Sequence, residues 1–187
     1  MQVLVCPGVQ DLSATQAFVA ALRSRLAPED QLWCLGPEVL PYSSAHILAA
    51  LSQRCDAQKP LLWLSYSAGV VGSLGAAWAW QAMGGTVTAF VALDGWGMPL
   101  GGAFPIHRLS HDDFTHWSSA LLGTGSENFY ADPPVSHADL WRSPAEVRGW
   151  QVTRVPGGET RSPTTALEFL VVLRHRYEPG RSPGAPR

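Results

Sequence analysis

The chain has 187 residues, enough for one domain with a sizeable core and too few for two ordinary ones. Hydrophobic residues make up 46%, charged residues only 15%, and the formal net charge is −2, which describes a globular protein without the field that draws nucleic acid or an anionic membrane. Lys59 is the sole lysine, the arginines are scattered, and no stretch approaches the roughly 20 apolar residues that span a bilayer, so neither partner is implied.

Three cysteines, Cys6, Cys34 and Cys55, form an odd set without C-x-x-C spacing and read as buried free thiols. The opening residues carry no basic segment followed by an apolar core, so a reducing, cytoplasmic setting is expected.

In chain order, an apolar run over 3–6 stopped by Pro7-Gly8 predicts a buried strand and a tight loop. Ser13 or Thr15 then caps a helix carrying Phe18, Val19, Leu22 and Leu26 at helical spacing, ended by Pro28. Residues 31–35 predict a second strand, and Ser43 or Ser44 opens a helix through Ile47, Leu48 and Leu51. A third strand over 61–64 leads into a small-residue helix over 70–83, and 86–93 predicts a fourth strand. Gly69, Gly72 and Gly75 are spaced to let that helix lie close on the sheet. Beyond a glycine-rich loop over 94–102, the chain predicts a strand over 105–110, a helix over 117–122 and a strand starting at Phe129. A last helix covers 164–177, and 179–187, rich in Pro, Gly and Arg, predicts a disordered tail after a single domain over 1–178. Strands alternating with helices at these intervals predict an α/β three-layer sandwich with a mostly parallel sheet, its ligands gathered at the carboxyl ends of the strands.

The segment Ser65-Tyr66-Ser67-Ala68-Gly69 carries the chemistry. A strand reversing sharply into a helix strains its turn residue and lifts that side chain clear of the sheet, which is the design of a nucleophile elbow. Ser67 occupies the turn, between small neighbours Ala68 and Gly69, while Ser65 stands where a first glycine is usual. A serine needs a base to take its proton and an acid to orient that base. Asp112, after the fifth strand, and His137, after the sixth, supply them in the order Ser, acid, His; Asp94 and Asp113 compete as the acid, and His111 and His107 as the base.

That order, with a strand before each member, resembles the α/β-hydrolase superfamily over nearly the whole chain. More narrowly, the Pro-Gly turn at Cys6-Pro7-Gly8-Val9-Gln10 and an acid followed two positions later by an apolar residue, Asp112 and Phe114, resemble the small lidless serine hydrolases related to retinoblastoma-binding protein nine. The resemblance implies a minimal α/β-hydrolase fold, no cofactor, and hydrolysis of a small-molecule ester or thioester through an acyl-enzyme. It also implies an oxyanion hole from the backbone amides of Ala68 and Val9, and a His-bearing loop just ahead of the last helix, corresponding to the segment around His137. This chain lacks the usual glycine before that histidine. The alternative is a non-catalytic interaction protein that keeps the elbow as scaffold.

Among the eight tryptophans, Trp96, Trp117 and Trp141 are expected in loops around Ser67, where they and Tyr66 line an apolar acyl pocket. His107, His111 and His116, with Asp112 and Asp113, also suggest a metal cluster, but the spacing is not diagnostic and no metal is expected.

Overall fold

The computed structural model describes residues 1–9, 11–123, 125–178 and 180. The expected tail over 179–187 lies outside the described residues except at Gly180. The parallel strands are β1 (Gln2–Cys6), β2 (Gln31–Cys34), β3 (Leu61–Tyr66), β4 (Val87–Leu93), β5 (Ile106–Ser110) and β6 (Glu127–Ala131). Of these, β1, β3 and β4 read as near-continuous hydrophobic stretches because helices cover both faces of the sheet, whereas β5 and β6 also carry buried His107, Arg108, Glu127 and Asn128.

Alternation along β3 shows the two faces. Leu62, Leu64 and Tyr66 join a cluster with Phe18, Trp141 and Phe169, contributed by α1 (Leu12–Arg23), α5 (His137–Arg142) and α6 (Ala166–Arg176). Leu61 and Trp63 join the opposite cluster with Ile47, Leu51, Val70 and Trp80 from α2 (Ser44–Arg54) and α3 (Ala68–Ala82). The fold is thus α/β, with a sheet order of β2-β1-β3-β4-β5-β6-β7-β8.

The last two strands, β7 (Arg148–Val155) and β8 (Gly158–Thr165), form an antiparallel hairpin that the sequence patterns leave unannounced. Nearly all of β8 is exposed, so it lacks the apolar alternation that marks a strand, and its first residues come from a turn with positive φ at Gly157 and Gly158. Helix α6 accordingly begins at Ala166, capped by Thr165, whose hydroxyl accepts from the Glu168 amide.

Other caps also differ from expectation. Asp11, rather than Ser13 or Thr15, caps α1, and helix α4 (Asp113–Ala120) begins four residues earlier than 117 because Asp112 caps it. Ser136 caps α5 in the pattern Ser136-His137-Ala138-Asp139, placing a helical turn where the sequence suggested loop.

Of the glycines of α3, Gly69 faces the end of a sheet strand, as expected, while Gly72 and Gly75 face the loop before α2 and its first residue. A Cβ would sit 2.5 Å from Cys6 O at Gly69, 2.5 Å from Pro41 O at Gly72 and 2.5 Å from Ser44 Oγ at Gly75. The stripe lets α3 press against the end of β1 and the start of α2, which holds the elbow against the loop after β1. Cys6, Cys34 and Cys55 are free, and burial pushes the Cys6 thiol up to about 12, which leaves it neutral. No helix among the described residues is long and apolar enough to cross a membrane.

Candidate active site

Parallel strands deliver their following segments to one edge, and those after β1, β3, β4, β5 and β6 meet there. Ser67 follows β3 with φ 52° and ψ −125°, a conformation L-residues rarely adopt, and its amide is pinned by a 2.9 Å bond to Leu93 O. The backbone of the loop after β1 lies directly alongside: a Cβ at Gly8 would fall 2.9 Å from Ser67 Cβ and 3.1 Å from the Ala68 nitrogen. Glycine is needed at this close approach, and the segments bearing Val9 and Ala68 are adjacent because of it.

Asp94 ends β4, also with positive φ (48°), and its amide donates to Leu109 O at 2.8 Å. The side chain is only 1% exposed and accepts three hydrogen bonds. Oδ1 accepts from the His111 amide at 2.9 Å, while Oδ2 accepts from Nδ1 of His111 at 2.9 Å and Nδ1 of His137 at 2.8 Å. With its Nδ1 proton committed to the carboxylate, His137 presents an unprotonated Nε2 to Ser67, whose Oγ donates across 3.1 Å.

The acid assignment therefore moves from Asp112 to Asp94. The Asp112 carboxylate accepts from the Thr115 amide at 2.6 Å and lies 3.6 Å from His111 Nε2, so it serves the start of α4 and not His137. Burial tends to raise its pKa, but the bonds from Thr115 and the nearby His111 hold the carboxyl below its usual range. Asp113 is the first residue of α4, beyond the cap. His111 bonds the same Asp94 oxygen as His137. Its bond to Asp94 raises its pKa against the opposing effect of burial, and the charges of Asp94 and Asp112 add to the rise.

His137 is the first residue of α5, and the hairpin β7–β8 separates that helix from α6, so the base does not come from the loop just ahead of the last helix. An aromatic column holds its ring. Phe18 stacks on Trp141 (3.8 Å between centroids), Trp141 on Tyr66 (4.5 Å), and Tyr66 on His137 (4.7 Å). Tyr66 also donates its hydroxyl to His137 O at 2.5 Å, and Trp141 Nε1 donates to Thr15 Oγ1 at 3.2 Å. Tyr66 and Trp141 are both fully buried, so neither lines a pocket as expected; they support the imidazole from beneath.

Trp96 and Trp117 are largely exposed, Trp96 in a loop as expected and Trp117 on a helix. Trp96, with Val71 and Met98, borders an open cavity of about 330 Å³ beside Ser67 and His137, and its Nε1 donates to Ser118 at 3.1 Å. Trp117 does not reach that cavity and lies on α4 near Phe114.

The histidines that suggested a metal cluster are dispersed. His107 is buried, donating Nδ1–H to Glu127 O at 2.7 Å and accepting from the Tyr177 hydroxyl at 2.8 Å, and buried His116 stacks on Tyr130. The donor atoms that do converge, from Asp94, His111 and His137, lie within 4.8 Å of one another. They fit a hydrogen-bonded set better than an ion: both imidazoles spend their Nδ1 protons on one carboxylate oxygen, at donor–acceptor distances normal for such bonds. Ser65, which departs from the expected glycine, is fully buried at the register position opposite Cys6, on the sheet face away from Tyr66 and His137.

No protein-family model matches the chain, and no curated protein matches it in sequence. What the site can do is decided by its own chemistry.

Proposed function

We propose that this chain is a lidless serine hydrolase of the α/β-hydrolase kind, cleaving a small-molecule ester or thioester through an acyl-enzyme. The observation that carries the proposal is the relay Ser67 Oγ to His137 Nε2 at 3.1 Å and His137 Nδ1 to Asp94 at 2.8 Å, with Ser67 on a strained turn. Ser67 Oγ attacks the carbonyl carbon as its proton passes to His137 Nε2. The carbonyl electron pair moves onto oxygen, held by the amides of Ala68 and Val9. Collapse of the tetrahedral intermediate expels the alcohol or thiol, which leaves with the proton from His137. Water then repeats the sequence and frees the acid, while Asp94 fixes the tautomer and stabilises each imidazolium.

The short connection from β4 to β5, residues 94–105, leaves no room for a lid domain, in keeping with an open site. The test is labelling with a fluorophosphonate. Wild type is modified at Ser67, Ser67→Ala is not, and ester turnover falls by about a millionfold in that variant. An unlabelled wild type identifies a binding protein that retains the elbow as scaffold.

A further inference from the structure

A second cavity, of about 210 Å³, is lined by the loop after β1 and the segment between β2 and α2. Its wall is hydrocarbon, formed chiefly by Val9, Leu12, Leu35, Val39, Pro41 and Ile47, and among the described residues that line it none carries a charge. Cys6, at its floor, is neutral because burial has pushed its thiol up to about 12. Gly8 is shared between this cavity and the nucleophile, since any Cβ there would sit 2.9 Å from Ser67 Cβ. Val9 and Leu12 stand at the cavity with 74% and 58% of their surface in water, exposure that contributes nothing to folding.

Chemistry decides which part of a substrate this cavity receives. His137 must hand its proton to the leaving atom, so the leaving group lies on the His137 side, along the cavity bordered by Trp96 and Met98. The carbonyl oxygen faces the amides of Ala68 and Val9. The remaining substituent, the acyl group, is left a direction away from both, and Gly8 is the lining residue of the second cavity that lies against Ser67.

Resting on the hydrolase reading, we propose that this second cavity is the acyl pocket and that the substrates are esters or thioesters of uncharged, apolar acids. Its capacity sets the length. An aliphatic cavity of about 150 Å³ holds benzene, so 210 Å³ takes a single ring or a chain of about eight carbons.

The test is a series of p-nitrophenyl esters from acetyl to dodecanoyl, with succinyl as the charged member. Burying each added methylene is worth up to about fourfold. The expected kcat/KM rises tenfold or more from acetyl to hexanoyl, stops rising near eight carbons, and is at least tenfold lower for succinyl than for butanoyl. Val39→Trp fills the cavity and lowers the hexanoyl-to-acetyl ratio at least tenfold. Leu12→Trp, at an exposed helical position, gives the same loss if Val39→Trp fails to fold by thermal melt. A flat chain-length profile, a preference for succinyl, or a ratio unmoved in the folded variants overturns the acyl pocket while Ser67 labelling leaves the hydrolase intact. Absence of both labelling and turnover in wild type overturns the hydrolase reading, and the acyl role with it.

Discussion

Two carboxylates eighteen positions apart in the sequence, Asp94 and Asp112, compete for one imidazole, and what separates them is where each backbone places its oxygen atoms. Asp112 sits just before a helix, where a short acidic side chain turns back onto the first free amides, and it does so with the Thr115 N–H. Asp94 has positive φ, which aspartate tolerates better than most residues, and this turns its carboxylate under both His111 and His137. Asp94→Asn keeps the backbone but presents an amide where His137 needs an acceptor, and ester turnover is expected to fall by about four orders of magnitude. Asp112→Asn leaves turnover within a few-fold of wild type, because Asn caps a helix about as well as Asp. Steady-state kinetics on the same ester compares the two; the reverse order would restore Asp112 as the acid.

Elements differ in how openly the sequence declares them. Strands β1, β3 and β4 are mostly apolar and flanked by Pro or Gly, so their positions are legible from composition alone. The hairpin β7–β8 is not, because most of its outer strand faces water and its polar residues carry no period-two signal. Helix α5 is only six residues long, too short for a hydrophobic period, although the Ser136 and Asp139 pair that caps it was visible. That helix carries both His137, which meets Ser67 as expected, and Trp141, which does not. Trp141 was expected at a pocket and instead forms the middle of the column beneath the base. Trp141→Ala removes a fully buried indole between Phe18 and Tyr66 and is expected to cost about 3–5 kcal/mol, measurable by urea denaturation. Turnover in the folded fraction also falls, because the Tyr66 ring that stacks on His137 loses its support. A folded variant with unaltered turnover would show that His137 holds its place without the column.

Across the molecule, the helical layer of α1, α5 and α6 ties together segments distant in sequence. Arg174 of α6 makes a buried bidentate contact with Asp30, at 2.7 and 2.9 Å, joining the end of the chain to the turn before β2. His107 does similar work between β5, β6 and Tyr177, and burial there lowers its pKa from 6.5 to about 4. The sign follows from which state binds the proton. Above pH 6.5 the imidazole is neutral whether the chain is folded or unfolded, and its contribution is complete; below 6.5 the unfolded chain takes up a proton that the folded one refuses until about pH 4. Stability is lost across that window, on the order of 3 kcal/mol from this group. His107→Asn is less stable at neutral pH but loses less on acidification, which denaturant melts between pH 7 and 4 would read. An equal loss in both proteins would mean other groups set the acid limit.

Local patterns in the chain determined most of the alternation of strands and helices, the strained turn at Ser67 and the tight turn at Pro7-Gly8, because hydrophobic period and small residues act over a few neighbours. The same patterns placed Asp94 and His137 at strand ends without saying which acid serves which base. That choice belonged to the tertiary structure, since hydrogen bonds between loops 43 and 70 positions apart depend on backbone direction at each strand end, and sequence separation does not encode direction.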